Sequence, residues 1–222
     1  MASVVCDDGR VADIGFAELL TLPGVEEHCD LRSTFGFMAF HGGALEEATD
    51  VVAGGAAEQA GASYYGVHQP DGMRHHVPST RIGPHASDAL ARFIAHVDVV
   101  VTIHGYGRRG FFTSLLLGGR NRVLADHVAA HLRPRLPAYD IVTDVERIPP
   151  DLRGMHVANP VNLPRAGGVQ IELPPRARGS SPLWWDWEGG LVPHTEALIA
   201  GLADAARAWP AAGPGASGPI AR

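Results

Sequence analysis

The 222-residue chain has no lysine; all 18 of its basic side chains are arginine. A guanidinium fork suits carboxylates, but a GC-rich genome explains the composition as a whole, so only arginines placed beside a site carry meaning. Cysteine is nearly missing too: Cys6 and Cys29 cannot frame a disulfide-dependent fold, and their spacing matches no metal knuckle. No stretch approaches the roughly 20 apolar residues of a membrane-spanning helix. The opening "MASVVCDDGR" lacks the basic start and long apolar middle of an export signal, so a cytoplasmic, soluble protein is expected. A formal charge of −6 leaves no basic surplus for phosphate contacts, so neither nucleic acid nor membrane is expected as a partner.

What is present is a regular alternation of strand-like and helix-like stretches. With 45% hydrophobic residues, a chain of this length can bury one substantial core. "FAELLTL" (16–22) reads as a short helix, followed by an acidic connection and a strand ending at His41. A helix is expected from Leu45 to Ala57, strands at 62–68 and 73–77, and a helix over 87–97 capped by Ser87. "VDVVVTIHGY" (97–106) is an unbroken β-branched run of the kind found in a sheet covered on both faces. Strands at 111–119 and 139–145, a helix at 121–132, a strand ending at Glu172 and a last helix over 194–209 complete the pattern. This predicts one α/β domain over residues 1–209, with a mixed, mostly parallel central sheet and helices on both faces. A Pro/Gly/Ala tail over 210–222 follows. The three tryptophans of "PLWWDW" (182–187) are read as cover for the edge of a core.

The chemistry concentrates where strands stop. In "FMAFHGGALEEAT" (37–49), an apolar strand ends in His41 and two glycines, and Glu46 and Glu47 are expected in the first turn of the next helix. The central strand likewise ends in His104-Gly105, and a third strand ends at Glu172. Ligands of open α/β sheets bind beyond the carboxyl ends of strands, so these distant residues can meet. Two imidazoles and a carboxylate, His41, His104 and Glu46, form the protein ligand set of a hydrolytic zinc site with one position open to water. Glu172 would then be the general base. Singly, each has a plainer reading, as a strand-end histidine satisfied by backbone or a helix-start acid. The competing pairs are His75-His76 and His127/His131, the latter read as a solvated helix face.

"AFHGGALEEAT", "VTIHGYG", "LLLGGRN" and "GGVQIELP" occur in the order and approximate spacing of the poly-γ-glutamate hydrolase family, and the chain resembles it from about residue 16 to 205. The resemblance implies a zinc carboxypeptidase-like fold, zinc held by His41, Glu46 and His104, and Glu172 as the catalytic glutamate. His41, Gly42, Gly43, Glu46 and Thr49 match the family run H-G-G-x-I-E-x-G-T, whereas Leu45 and Ala48 replace its Ile and Gly. Ala48 is expected inside the helix, where alanine is the better helix former. "PPRAR" after Glu172 departs from the family's usual Ser-Arg-rich continuation.

The implied substrate is an anionic γ-glutamyl polymer or peptide, cleaved at its amide bonds. Related readings are an amidase acting on another acidic peptide or cell-wall fragment, and a metal-binding protein without turnover. An acidic protein with such a substrate must gather positive charge locally, so an arginine-lined groove is expected. Arg165 is the first candidate, with Asn162, Arg122, Asn121 and Arg108/Arg109 beside it, and Asn159 in the same loop. Tyr106 is a candidate phenol for the tetrahedral intermediate.

Overall fold

The computed structural model describes residues 14–210, so Cys6 and the tail over 211–222 lie outside the described residues. In chain order the strands are β1 (Glu26–Asp30), β2 (Phe35–Gly43), β3 (Ser63–Gln69), β4 (Val99–Gly105), β5 (Ser114–Leu117), β6 (Asp140–Val142) and β7 (Gly168–Leu173). They form one sheet in the order β1-β3-β2-β4-β7-β5-β6. The β1·β3 and β5·β7 pairs are antiparallel and the remaining pairs parallel. The mixed, mostly parallel sheet expected from the sequence is therefore present. Among the described residues, no helix is long and apolar enough to cross a membrane.

Helices cover both faces, and the alternation of side chains along the central strands decides which residue meets which layer. Phe37 and Ala39 of β2, Val101 and Ile103 of β4, and Val169 and Ile171 of β7 enter one core. That core also holds α2 (Thr49–Ala60), α4 (Arg122–Leu132) and α5 (Pro193–Ala208). Met38, Phe40 and Val100 enter the other, with α1 (Phe16–Leu19) and α3 (Asp88–His96). Ser87 caps α3 as expected, its hydroxyl accepting from the N–H groups of Ala89 and Leu90. Thr102, His104, Gln170 and Glu172 share the parity of Val100 and thus the face that α3 covers.

His41 would point the opposite way if alternation held, because Phe37 and Ala39 precede it. The pairing of β2 with β3 instead shifts register between Ala39 and Gly42. Phe40 and His41 then lie on one face, and the His41 ring stands 4.8 Å from Phe40 and 5.1 Å from the ring of His104. A bulge re-aims a side chain in this way. Gly43, at φ +69°, follows it; a Cβ there would lie 2.1 Å from the Gln69 carbonyl oxygen. Only glycine fits that turn.

Several expectations are corrected. First, α2 starts at Thr49, not Leu45, so Glu46 sits in the turn before the helix, its N–H bonded to the His41 carbonyl at 3.0 Å. Ala48 is outside the helix body, at φ 66° and ψ 2° in the left-handed region. Alanine pays a steric cost there that the family's glycine would not. Ala48→Gly is expected to raise stability by roughly 1 kcal/mol, since strain relief of about 1–2 kcal/mol exceeds the added unfolded-state entropy. Denaturant unfolding of the two proteins checks this.

Second, residues 73–77 form no strand, since β1 and β2 already occupy both edges of β3. The segment is tied by the Gln69 amide, which accepts from the His75 N–H at 2.8 Å and donates to its carbonyl at 2.9 Å. Third, the acidic connection contains β1, whose exposed charged residues hide its strand character and suit an edge. Fourth, of the tryptophans in 182–187, Trp184 packs on His194 while Trp185 is 84% exposed. His127, expected on a solvated face, is only partly exposed and bonds the Ala205 carbonyl of α5 at 2.9 Å.

Candidate active site

Because β2, β4 and β7 are adjacent and parallel, their carboxyl ends open on one side of the sheet. His104 and Glu172 are direct register partners across β4 and β7. The structure brings His41, Glu46, His104 and Glu172 together there, in the wall of a cleft of about 650 Å³. Phe40 packs edge-on against both imidazoles, at 4.8 and 4.9 Å, and so holds their planes.

Glu46 bridges the two histidines. Its Oε1 lies 3.0 Å from His41 Nδ1 and its Oε2 3.4 Å from His104 Nδ1, while the Gly105 N–H donates to Oε2 at 2.8 Å. Burial opposes its ionisation, but the His41 and His104 imidazoles overcome it and hold the carboxyl well below the usual range. One ligand atom from each of His41, Glu46 and His104 lies within 4.8 Å of the others. The group could hold a metal ion, and the donor chemistry fits one. His41 Nε2 stands 2.9 Å from the Val77 carbonyl, which only accepts, so in the neutral form of the ring, the one that binds a metal, it is Nε2 that carries the hydrogen. Nδ1 then turns a lone pair toward a carboxylate oxygen. Two acceptors at that distance need a cation or a proton between them. A carbonyl behind the far nitrogen is also a common way to orient a metal-binding imidazole.

Glu172 is 4% exposed. Its carboxyl is pushed up to about 7, first by burial and further by the Glu46 charge; His104 and the Gln170 amide pull the other way. Gln170 Nε2 donates to Glu172 Oε1 at 2.8 Å.

Of the expected substrate residues Asn159 lines this cleft, and the others do not gather there. Arg165 pairs with Asp98 at 2.8 Å, immediately before the start of β4, whereas His104 lies near the strand's other end. The Arg122 guanidinium binds the carbonyls of Leu117, Gly119 and Thr143. Asn121 caps α4 through the Leu124 N–H and donates to the Ala166 carbonyl. Asn162 donates to the carbonyls of Gly154 and His156 and accepts from the Arg120 N–H. The Tyr106 hydroxyl lies between the carbonyls of Phe111 and Ser114, 2.8 Å from each. Each is committed to backbone, apart from Arg165, and none of the five lines the cleft. Arg108 forms a two-point pair with Asp151 at the rim. Among the described residues, Arg153 is the one arginine in the lining, so the arginine-lined groove is not what the fold builds.

Other residues take their place. His76 lines the cleft with its ring 4.8 Å from that of His41, and burial lowers its pKa. Arg178 donates to the carbonyls of Leu173 and Glu47, strapping the Glu46 turn to the end of β7. Asn159 and Gln170 complete the wall behind Glu172. The pattern Gln170-x-Glu172 on one strand face was the available signal for Gln170; Asn159 was a candidate from its loop, and His76 was noted only as half of a competing His-His pair.

A solved structure of a bacteriophage poly-gamma-glutamate hydrolase superposes with a TM-score of 0.69 at 21% identity, covering 85% of this chain and 91% of that one. A structure described as the zinc-free apo form of YNDL gives a TM-score of 0.61 at 20% identity, covering 80% and 89%. At such identities the likeness is one of fold. No curated protein matches the sequence. The poly-gamma-glutamate hydrolase family matches residues 21–181, the greater part of the chain and all four of the converging residues. The chain belongs to the poly-gamma-glutamate hydrolase family.

Proposed function

We propose that the protein is a zinc-dependent hydrolase that cleaves γ-glutamyl amide bonds in poly-γ-glutamate or related acidic material. The observation that carries this reading is the bridging of His41 and His104 by Glu46, with the raised carboxyl of Glu172 on the adjacent strand. His41 Nδ1, a Glu46 oxygen and a His104 nitrogen would hold the ion, and the set leaves a coordination position free for chemistry. Zinc bound there would supply Lewis acidity, polarising the scissile carbonyl and making water easier to deprotonate.

Glu172 takes a proton from the attacking water and returns it to the leaving amine. A carboxyl pushed up to about 7 suits both halves of that cycle, since it accepts and releases a proton near neutrality. The His41 ring is fixed by the Val77 carbonyl and the Glu46 carboxylate by the Gly105 N–H, so neither ligand needs to reorganise. His76, His156 and Arg153, with the hydroxyls of Ser79 and Thr80, are cleft groups that can donate to substrate carboxylates. The Arg153 side chain is 25% exposed and is partly neutralised by Glu146, so its contribution is local.

Chain length of poly-γ-glutamate, followed by gel filtration, tests the proposal. Zinc-loaded protein is expected to shorten the polymer, chelated protein to leave it intact, and returned zinc to restore cleavage. Polymer left unchanged by loaded protein would exclude this substrate.

A further inference from the structure

We infer that Asn159 and Gln170 form a polarised amide relay that positions Glu172, so that its Oε1 stays a hydrogen-bond acceptor and Oε2 receives the proton. The inference rests on Glu172 being the general base.

The relay has four members in a line. Val161 N–H donates to Asn159 Oδ1 at 3.2 Å, Asn159 Nδ2 donates to Gln170 Oε1 at 2.8 Å, and Gln170 Nε2 donates to Glu172 Oε1 at 2.8 Å. Gln170 Nε2 also lies 3.4 Å from the Leu152 carbonyl. A carboxamide has the same outline when flipped, so its direction has to come from neighbours whose role cannot change. Both ends here are such neighbours. A backbone N–H can only donate, which makes the near atom of Asn159 its oxygen. A backbone carbonyl can only accept, which makes the near atom of Gln170 its nitrogen. Flipping Gln170 would set its oxygen against the Leu152 carbonyl and the Glu172 carboxylate, and its nitrogen against the Asn159 amide nitrogen. Asn159 and Gln170 are each 4% exposed, so water cannot repair either mismatch.

The surrounding backbone is built around this line. Gly154, at φ +61°, packs on the Gln170 side chain, where a Cβ would come within 2.8 Å of its amide. Asn162 pins the same loop through the carbonyls of Gly154 and His156, at 2.7 and 2.9 Å. Gln170 and Glu172 are two apart on β7 and so share a face. Among the described residues, Glu172 Oε2 accepts no hydrogen bond, while Oε1 holds the Gln170 donor. A proton arriving on Oε2 leaves that bond in place, and the carboxylate keeps its aim through the cycle. Asn159 and Gln170 are thus positioning residues that act through Glu172.

Asn159→Ala and Gln170→Met test the relay, each made in the wild type and in Glu172→Gln, with kcat, KM, zinc content and thermal unfolding measured. In the wild type each is expected to lower kcat by about 10-fold or more, the scale on which outer-sphere partners act, with KM changed less than about 3-fold. In Glu172→Gln, assayed at high enzyme concentration, neither is expected to lower kcat further, because the group they position no longer takes the proton. Equal losses in both backgrounds, or Gln170→Met turning over as wild type, would overturn the relay. Asn159 also caps the short helix Pro160–Asn162, so if Asn159→Ala does not fold, Gln170→Met decides alone. Glu172→Gln with wild-type turnover would instead overturn the general-base reading, by a measurement that leaves Asn159 and Gln170 untouched.

Discussion

Glu172→Gln is expected to lower kcat by at least about 10²-fold while zinc content stays at the wild-type level. Glutamine keeps the shape and still accepts from the Gln170 amide, but it cannot take a proton from water. The loss should fall on kcat and kcat/KM alike, as for a group that acts in the transition state rather than in binding. Loss of zinc in this variant would make Glu172 a ligand.

The same variant should gain stability when metal is absent. In the folded chain the carboxyl is pushed up to about 7 from its ordinary 4.5, chiefly by burial. Between those two pH values the native chain holds a proton that the unfolded chain has released. Native stability therefore falls as pH rises through this window, and the full penalty, about 3 kcal/mol, applies above pH 7. Glutamine carries no charge at any pH. Chelated Glu172→Gln should be more stable than chelated wild type above pH 7 and no more stable below pH 4.5, by denaturant unfolding. A wild-type protein whose stability does not fall over that range would show that Glu172 is solvated.

His104→Ala is expected to weaken zinc binding by more than about 10²-fold and to abolish cleavage with it. Loss of an outer-sphere partner typically costs 10–100-fold, and His104 would be a direct ligand. The ring is buried against Phe40 and faces Glu46 with Nδ1, so alanine also leaves a cavity. Glu46→Gln, which preserves volume, should lose zinc too and separates ligand loss from packing loss. The controls are His127→Ala and His131→Ala, whose rings stand 4.7 Å apart on α4. These variants should keep their zinc, as measured by metal analysis after dialysis. The reverse pattern would move the metal to α4.

Much of this protein was legible in its residues. The β-branched run of β4, the apolar stretch of β2 and the helical spacing of α3, α4 and α5 each encode their element within a few neighbouring positions. A His-Gly pair closing β2 and β4 and a glutamate near the end of β7 could be assigned to one edge because parallel neighbours share their carboxyl ends. The substrate residues could not be assigned in that way. Arg165 stands close to Glu172 in sequence, yet β7 runs between them and carries the two to opposite ends of the sheet. Arg122, Asn121 and Asn162 are polar side chains spent on backbone carbonyls and N–H groups of turns, a use that no spacing announces.

The tertiary structure alone decided three further things. The bulge between Ala39 and Gly42 turns His41 onto the face of His104, because strict alternation would have sent it into the α2 core. The left-handed turn at Ala48 holds Glu46 outside the helix, where both its oxygens reach an imidazole. The loop over 154–162 lays Asn159 on Gln170 from eleven residues away. Local sequence determines which residues are buried and with what period, since that depends on neighbours along the chain. Which polar groups meet depends on how separate segments cross, and there the direction of a single amide is set by contacts that exist only after folding.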